Sequence, residues 1–149
     1  MGASVRIAGD GDAETLAALR REWNEEDNGG SIDDAGFESS FTAWVASEGD
    51  TRTFFLVEID GEPIGMGNVK RYSRMPSAGR AADAWGYVGN VYVRAEHRDA
   101  GVGARLMEAM HAWAWEQGYD KLRLSPATRA VPFYERLGWW QSALLQLDR

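Results

Sequence analysis

The segment EHRDAGVGARL, residues 96–106, sets Arg98, Gly101 and Gly103 where a loop gives way to a helix. Glycine inside a helix costs roughly 1 kcal/mol relative to alanine, so two of them at a helix mouth need a reason. Anion binding is one. A helix N-terminus exposes unpaired N–H groups and about half a positive charge. Glycine at 101 and 103 removes side chains that would hold a phosphate away, and Arg98 adds a cation from the loop. The other reason is conformational, because a tight turn from strand to helix needs glycine for its backbone alone. Two nucleotide motifs are excluded by the residues themselves. The third glycine of GxGxxG is missing, and no Gly-Lys-Ser/Thr closes the loop as in a P-loop.

Other chemistry is bounded by what the chain lacks. It has no cysteine, which excludes disulfides, thiolate metal sites and a cysteine nucleophile. Two histidines, His97 and His111, are too few for a His-rich metal site, so no metal is expected. Both read as surface or edge residues rather than catalysts. The formal charge is −7, and only Lys70 and Lys121 among the 16 basic residues are lysine. A nucleic-acid backbone is a poor partner for such a chain. The arginines are unevenly spread, however. Arg94, Arg98 and Arg105 crowd the glycine segment, with Arg129 and Arg136 following. Screening beyond about 8 Å hides distant negative charge, so this local patch suits a small anionic ligand.

The elements that must position these residues follow from periodicity. At 149 residues and 44% apolar composition, one domain with a sizeable core is expected. SVRIA, 4–8, alternates as a short strand. Asp10 or Asp12 caps a helix reaching about residue 27, with Leu16, Leu19 and Trp23 on one face. A glycine-containing acidic loop precedes a second helix over 31–48, its core face marked by Phe37, Phe41, Trp44 and Val45. The period then changes to two. TFFLVEI, EPIGMGNVKRY and AWGYVGNVYV read as three antiparallel strands, the first two joined by the hairpin signal Asp60-Gly61. Residues 101–117 form an amphipathic helix stopped by Gly118. KLRLS is a strand, 128–137 hold a short helix, and WWQSALLQL is a last strand. The order is β-α-α-β-β-β-α-β-α-β: a mixed α/β (α+β) domain, its sheet mostly antiparallel and flanked by helices.

No apolar run nears the 18 or so residues of a membrane span, and MGASVRIAGD has no signal-peptide core. Arg6 stands where a myristoylation signal wants Ser or Thr. A soluble, cytoplasmic protein without membrane or nucleic-acid partners is expected. The two tryptophans and apolar run at the C-terminus point to a homodimer contact or to core burial.

The segment NVYVRAEHRDAGVGARLMEAM, with AVPFYERLGW after it, resembles the GNAT superfamily of N-acetyltransferases. R-x-x-G-x-G at 98–103 and apolar-Tyr-x-x-x-Gly-aromatic at 133–139 match together, on the right elements. The resemblance implies acetyl-CoA as cosubstrate, its pyrophosphate held by backbone N–H groups of Asp99, Ala100, Gly101, Val102, Gly103 and Ala104, with Arg98 nearby. It implies that the backbone at Val91, Tyr92 and Val93, in a bulged strand, bonds the pantetheine arm and polarises the acetyl carbonyl. Tyr134 matches the general acid that protonates the departing thiolate; an ordinary tyrosine, with pKa about 10, is protonated at neutral pH and can serve. Two positions depart from the pattern. Ala127 replaces an asparagine that bonds pantetheine in many relatives, leaving Ser125 or Thr128 as substitutes. Strand 85–93 has no carboxylate for a general base and offers only Tyr87 and Asn90.

The resemblance also puts the amine acceptor between the first two helices and the middle strands, near Trp23, Glu25, Glu26, Asp27, Asp33 and Asp34. There the acidic loop attracts a cationic amine or is simply solvated. Trp23, Glu26 and Asn90 are the expected acceptor contacts, and Trp85, Tyr87 and Tyr72 can supply an aromatic wall. The expected function is acetyl transfer from acetyl-CoA to a primary amine of a small molecule, by direct attack in a ternary complex. A protein or peptide N-acetyltransferase and a non-catalytic acyl-CoA-binding regulatory domain are the alternatives.

Overall fold

A computed structural model describes residues 2–149. Five strands form one sheet in the order β1-β2-β3-β4-β5: β1 Ser4–Ile7, β2 Arg52–Ile59, β3 Glu62–Ser73, β4 Ala84–Val93 and β5 Leu122–Arg123. The first four pair antiparallel and β5 joins β4 in parallel. The helices are α1 Ala13–Asn28, α2 Phe37–Glu48, α3 Val102–Glu116 and α4 Val131–Arg136.

The alternation of β2 builds both halves of the core. Phe54 and Leu56 join Leu16, Leu19, Met66 and Tyr92, against which Phe41 and Val45 of α2 pack. Phe55 and Val57 join the other cluster, with Leu106, Met107 and Met110 of α3. One strand thus serves two layers, its side chains pointing to opposite faces of the sheet. Asp60 and Gly61, with φ of +52° and +80°, make the hairpin from β2 to β3, the positive pair that an Asp-Gly turn favours.

Three expectations are corrected. The second helix starts at Phe37, not near residue 31. Arg21 of α1 holds the loop out of helical form, donating to the carbonyls of Ile32 at 2.8 Å and Asp34 at 2.5 Å. Glu25 accepts from the Ile32 N–H at 3.3 Å. The last strand is absent: residues 139–149 form no helix or strand, and Trp140, Leu144, Leu145 and Leu147 are exposed. KLRLS likewise contributes only Leu122–Arg123 to the sheet.

Candidate active site

At the mouth of α3 the two glycines do different things. Gly101 is the N-cap residue, with φ +81°, a conformation glycine adopts without the Cβ penalty other residues carry. Gly103 has no such backbone demand. A Cβ there would meet the Phe133 ring at 3.4 Å, an ordinary contact, so packing does not require glycine either. What the missing side chain leaves bare is the helix's own N-terminus. The first intrahelical bond runs from the Arg105 N–H to the Gly101 carbonyl at 3.1 Å, so the N–H groups of Val102, Gly103 and Ala104 lack intrahelical acceptors. No side chain caps this end and its first turn holds no acidic residue, whereas α1 and α2 begin with Glu14 and Glu38. The positive end of the α3 dipole is therefore unneutralised by the chain itself.

Beside this mouth the sheet opens. Strand β4 pairs with β5 only at Gly86↔Leu122 and Tyr87↔Arg123. On its other side the register with β3 slips between Met66 and Asn68, and Asn90 takes φ +56°, the mark of a bulge. Val91, Tyr92 and Val93 thus follow a bulge and have no strand on the β5 side. Tyr134, on α4, packs against the same core cluster as Val91 and Val93. Its half-buried hydroxyl titrates above the ordinary tyrosine value because burial penalises the phenolate. Ala127 precedes the short turn leading into α4 and has no polar side chain to offer.

Arg98 is committed elsewhere. Its guanidinium makes a two-point pair with Glu26, at 2.6 and 2.9 Å, and Nε donates to the Val93 carbonyl at 2.8 Å. It also lies over the Tyr92 ring, 5.5 Å from its centroid. Tyr92 donates to Glu26 at 3.2 Å and stacks on Trp23 at 5.6 Å. Burial and the Glu26 carboxylate push the Tyr92 hydroxyl up to about 12. Arg98 in turn holds Glu26 below the usual carboxylate range. Arg94 pairs similarly with Glu22 at 2.7 Å. Glu22 and Glu26 of α1 thus brace the β4–α3 connection.

A cavity of about 240 Å³ lies between α1, α2 and the middle strands. Its walls are Phe37, Phe41, Trp44, Phe54 and Met66, and its polar lining is Arg20, Asn68 and Asn90. Asn68, only 3% exposed, accepts from Arg52 at 2.6 Å and donates to Asn90 at 2.9 Å. Glu48 anchors Arg52 at 2.5 Å. No carboxylate or imidazole lines this cavity among the described residues.

Residues 16–139 match the acetyltransferase (GNAT) family. This chain belongs to that family. An uncharacterised N-acetyltransferase of Bacillus subtilis, YjcF, is 34% identical over 85 residues, a match covering 56% of this chain and 54% of that protein. A predicted acetyltransferase from Clostridium acetobutylicum, solved with acetyl-CoA, superposes with a TM-score of 0.78 at 17% identity, over 99% of this chain and 96% of its own. Glucosamine-6-phosphate N-acetyltransferase from Arabidopsis thaliana gives 0.75 at 16% identity, over 100% and 99%. At these identities the likeness is one of fold.

Within this GNAT chain, Asn90 alone of the three expected acceptor contacts lines the cavity. Trp23 and Glu26 belong to the Tyr92–Arg98 brace. Trp85 and Tyr72 stack on each other at 4.7 Å, and neither they nor Tyr87 lines it. The acidic loop borders a separate groove, where Asp27 and Asp34 lie with Asn24 and Asn28. Sequence reading placed Phe37, Phe41 and Trp44 in the core, since helical apolar spacing does not distinguish a core face from a cavity wall. Asn68, Arg20, Arg52 and Glu48 carried no spacing signal, because two helices and two strands must pack before they come together.

Proposed function

We propose that this chain transfers the acetyl group of acetyl-CoA to the primary amine of a small molecule. The observation that carries the proposal is the α3 mouth: bare N–H groups, no capping side chain, and a glycine at 103 that neither backbone conformation nor packing requires. A diphosphate supplies the charge and acceptors this end lacks. The backbone from Asp99 to Ala104 holds it, and the Arg98–Glu26 pair fixes the loop instead of touching phosphate. The unpaired edge at Val91–Val93 offers main-chain groups to the pantetheine arm and the acetyl carbonyl.

The chain has no cysteine to carry an acyl group, so the amine attacks the thioester carbon directly. As the C–S bond breaks, the departing thiolate takes the Tyr134 hydroxyl proton, which burial keeps in place well above neutral pH. Ser125 or Thr128 stands in for the side-chain contact that Ala127 cannot make. The cavity lining contains no group to deprotonate an ammonium, so the acceptor sheds its proton to water before entering. A pocket of about 240 Å³ between two helices and the sheet favours a small molecule over a protein tail. The exposed C-terminal leucines pair two copies into a homodimer, and the cytoplasm is the site of action.

Calorimetry with desulfo-CoA and thiol release from acetyl-CoA with an amine panel test the reading. Binding together with amine-dependent release supports it. Heat without release across amines and peptides leaves a non-catalytic CoA-binding domain. An absence of heat removes it altogether.

A further inference from the structure

The GNAT cavity has a definite hydrogen-bond polarity. Arg52 donates into the Asn68 carbonyl oxygen, which fixes the Asn68 amide to donate into the Asn90 oxygen. The Asn90 oxygen is thereby occupied, and nothing among the described residues accepts from its NH₂ group. Arg20 adds a second unanswered donor. Four other arginines are paired: Arg21 with Glu38 at 2.6 Å, Arg52 with Glu48, Arg94 with Glu22 and Arg98 with Glu26. Arg20 has no carboxylate partner among the described residues and rests instead over Trp23, 4.5 Å from its ring centroid. A half-buried cation that lines an aromatic-walled cavity and has no carboxylate beside it is open to an anionic group of whatever enters.

The walls define the rest of the occupant. Phe37, Phe41, Trp44 and Phe54 form an unbroken aromatic chain, each ring centroid 5.7 Å from the next. Such a surface gains by covering a flat or bulky apolar group and repels a hydrated polycation. Resting on the acetyl transfer proposed above, we infer that the acceptor is an amine with an aromatic or bulky apolar body that also carries a carboxylate, read by Arg20 and the Asn90 amide.

The test compares L-phenylalanine, 2-phenylethylamine and spermidine as acceptors, after desulfo-CoA calorimetry has established that the protein binds the carrier. Phenylalanine is expected to exceed phenylethylamine in kcat/KM by about tenfold, and spermidine by more, because a charge-assisted bond to the half-buried Arg20 is at stake. Arg20→Gln should abolish the preference between the first two while leaving phenylethylamine within about threefold, with Arg20→Lys restoring part of it. Trp44→Ala should lower both aromatic acceptors and leave desulfo-CoA binding unchanged. A preference for spermidine, or a phenylalanine-to-phenylethylamine ratio untouched by Arg20→Gln, overturns the inference while acetyl transfer stands. Should none of the three be turned over, calorimetry of phenylalanine with the CoA-loaded protein decides, and no heat there overturns the inference as well. A protein that fails to bind desulfo-CoA removes the transfer reading first.

Discussion

Gly101 and Gly103 are separable by experiment. Gly101→Ala puts a Cβ on a backbone at φ +81° and should destabilise the fold by about 1 kcal/mol, read as a lowered Tm. Gly103→Ala meets only an ordinary contact, so the expected Tm is unchanged or slightly raised, while desulfo-CoA binding weakens by about tenfold. Equal affinity in Gly103→Ala and the parent would detach the glycine from the ligand. Tyr134→Phe should cut kcat by about 10²-fold or more with acetyl-CoA binding intact, since only the proton donor is lost. At this scale the sequence was legible wherever a residue acts through its backbone, as at Gly101 with its left-handed φ. It did not show where a side chain finds its partner through the fold. Arg98 sits in the glycine segment, yet its charge is spent on Glu26, 72 positions away in the chain.

Elements were legible where local chemistry decides them. Asp60-Gly61 turned as such a pair must, and of the apolar stripe that the helical period gives α3, Val102, Leu106, Met110 and Ala114 are buried and Trp113 packs partly buried against them. They were illegible where a distant side chain intervenes, as Arg21 does in delaying the start of α2. A similar long-range tie has a pH signature. Arg6 on β1 donates to Asp12 at 2.7 Å, and the Gly9 N–H donates to it at 2.8 Å, fastening β1 to the start of α1. These bonds hold the Asp12 carboxyl at about 2, below its ordinary 3.8. A carboxyl with a depressed pKa stabilises the folded state above its unfolded value and loses that contribution as pH falls through the folded one. Asp12→Asn should therefore lower Tm at pH 7, and its gap from the parent should narrow between pH 4 and pH 2. A gap that stays constant over that window would show that the loss does not depend on the charge of Asp12.

For the whole molecule, the segment after α4 is where pattern and structure part. WWQSALLQL has the apolar content of a strand, but β5 offers a ladder only two residues long. Trp139 is retained, donating to His111 at 3.0 Å, while Trp140, Leu144, Leu145 and Leu147 project into solvent. Under the proposed homodimer, a second copy covers them, and mass action then makes stability depend on concentration. The parent Tm should rise as protein concentration is raised from the micromolar to the millimolar range, and sedimentation should report a dimer at the upper end. The double variant Leu145→Ser, Leu147→Ser removes no contact within one copy, so it should sediment as a monomer. Its Tm should match the parent's dilute limit and stay flat with concentration. A fall in Tm below that limit would mean that these leucines pack against their own chain, as the strand reading had it, and a parent that stays monomeric at millimolar concentration would remove the dimer.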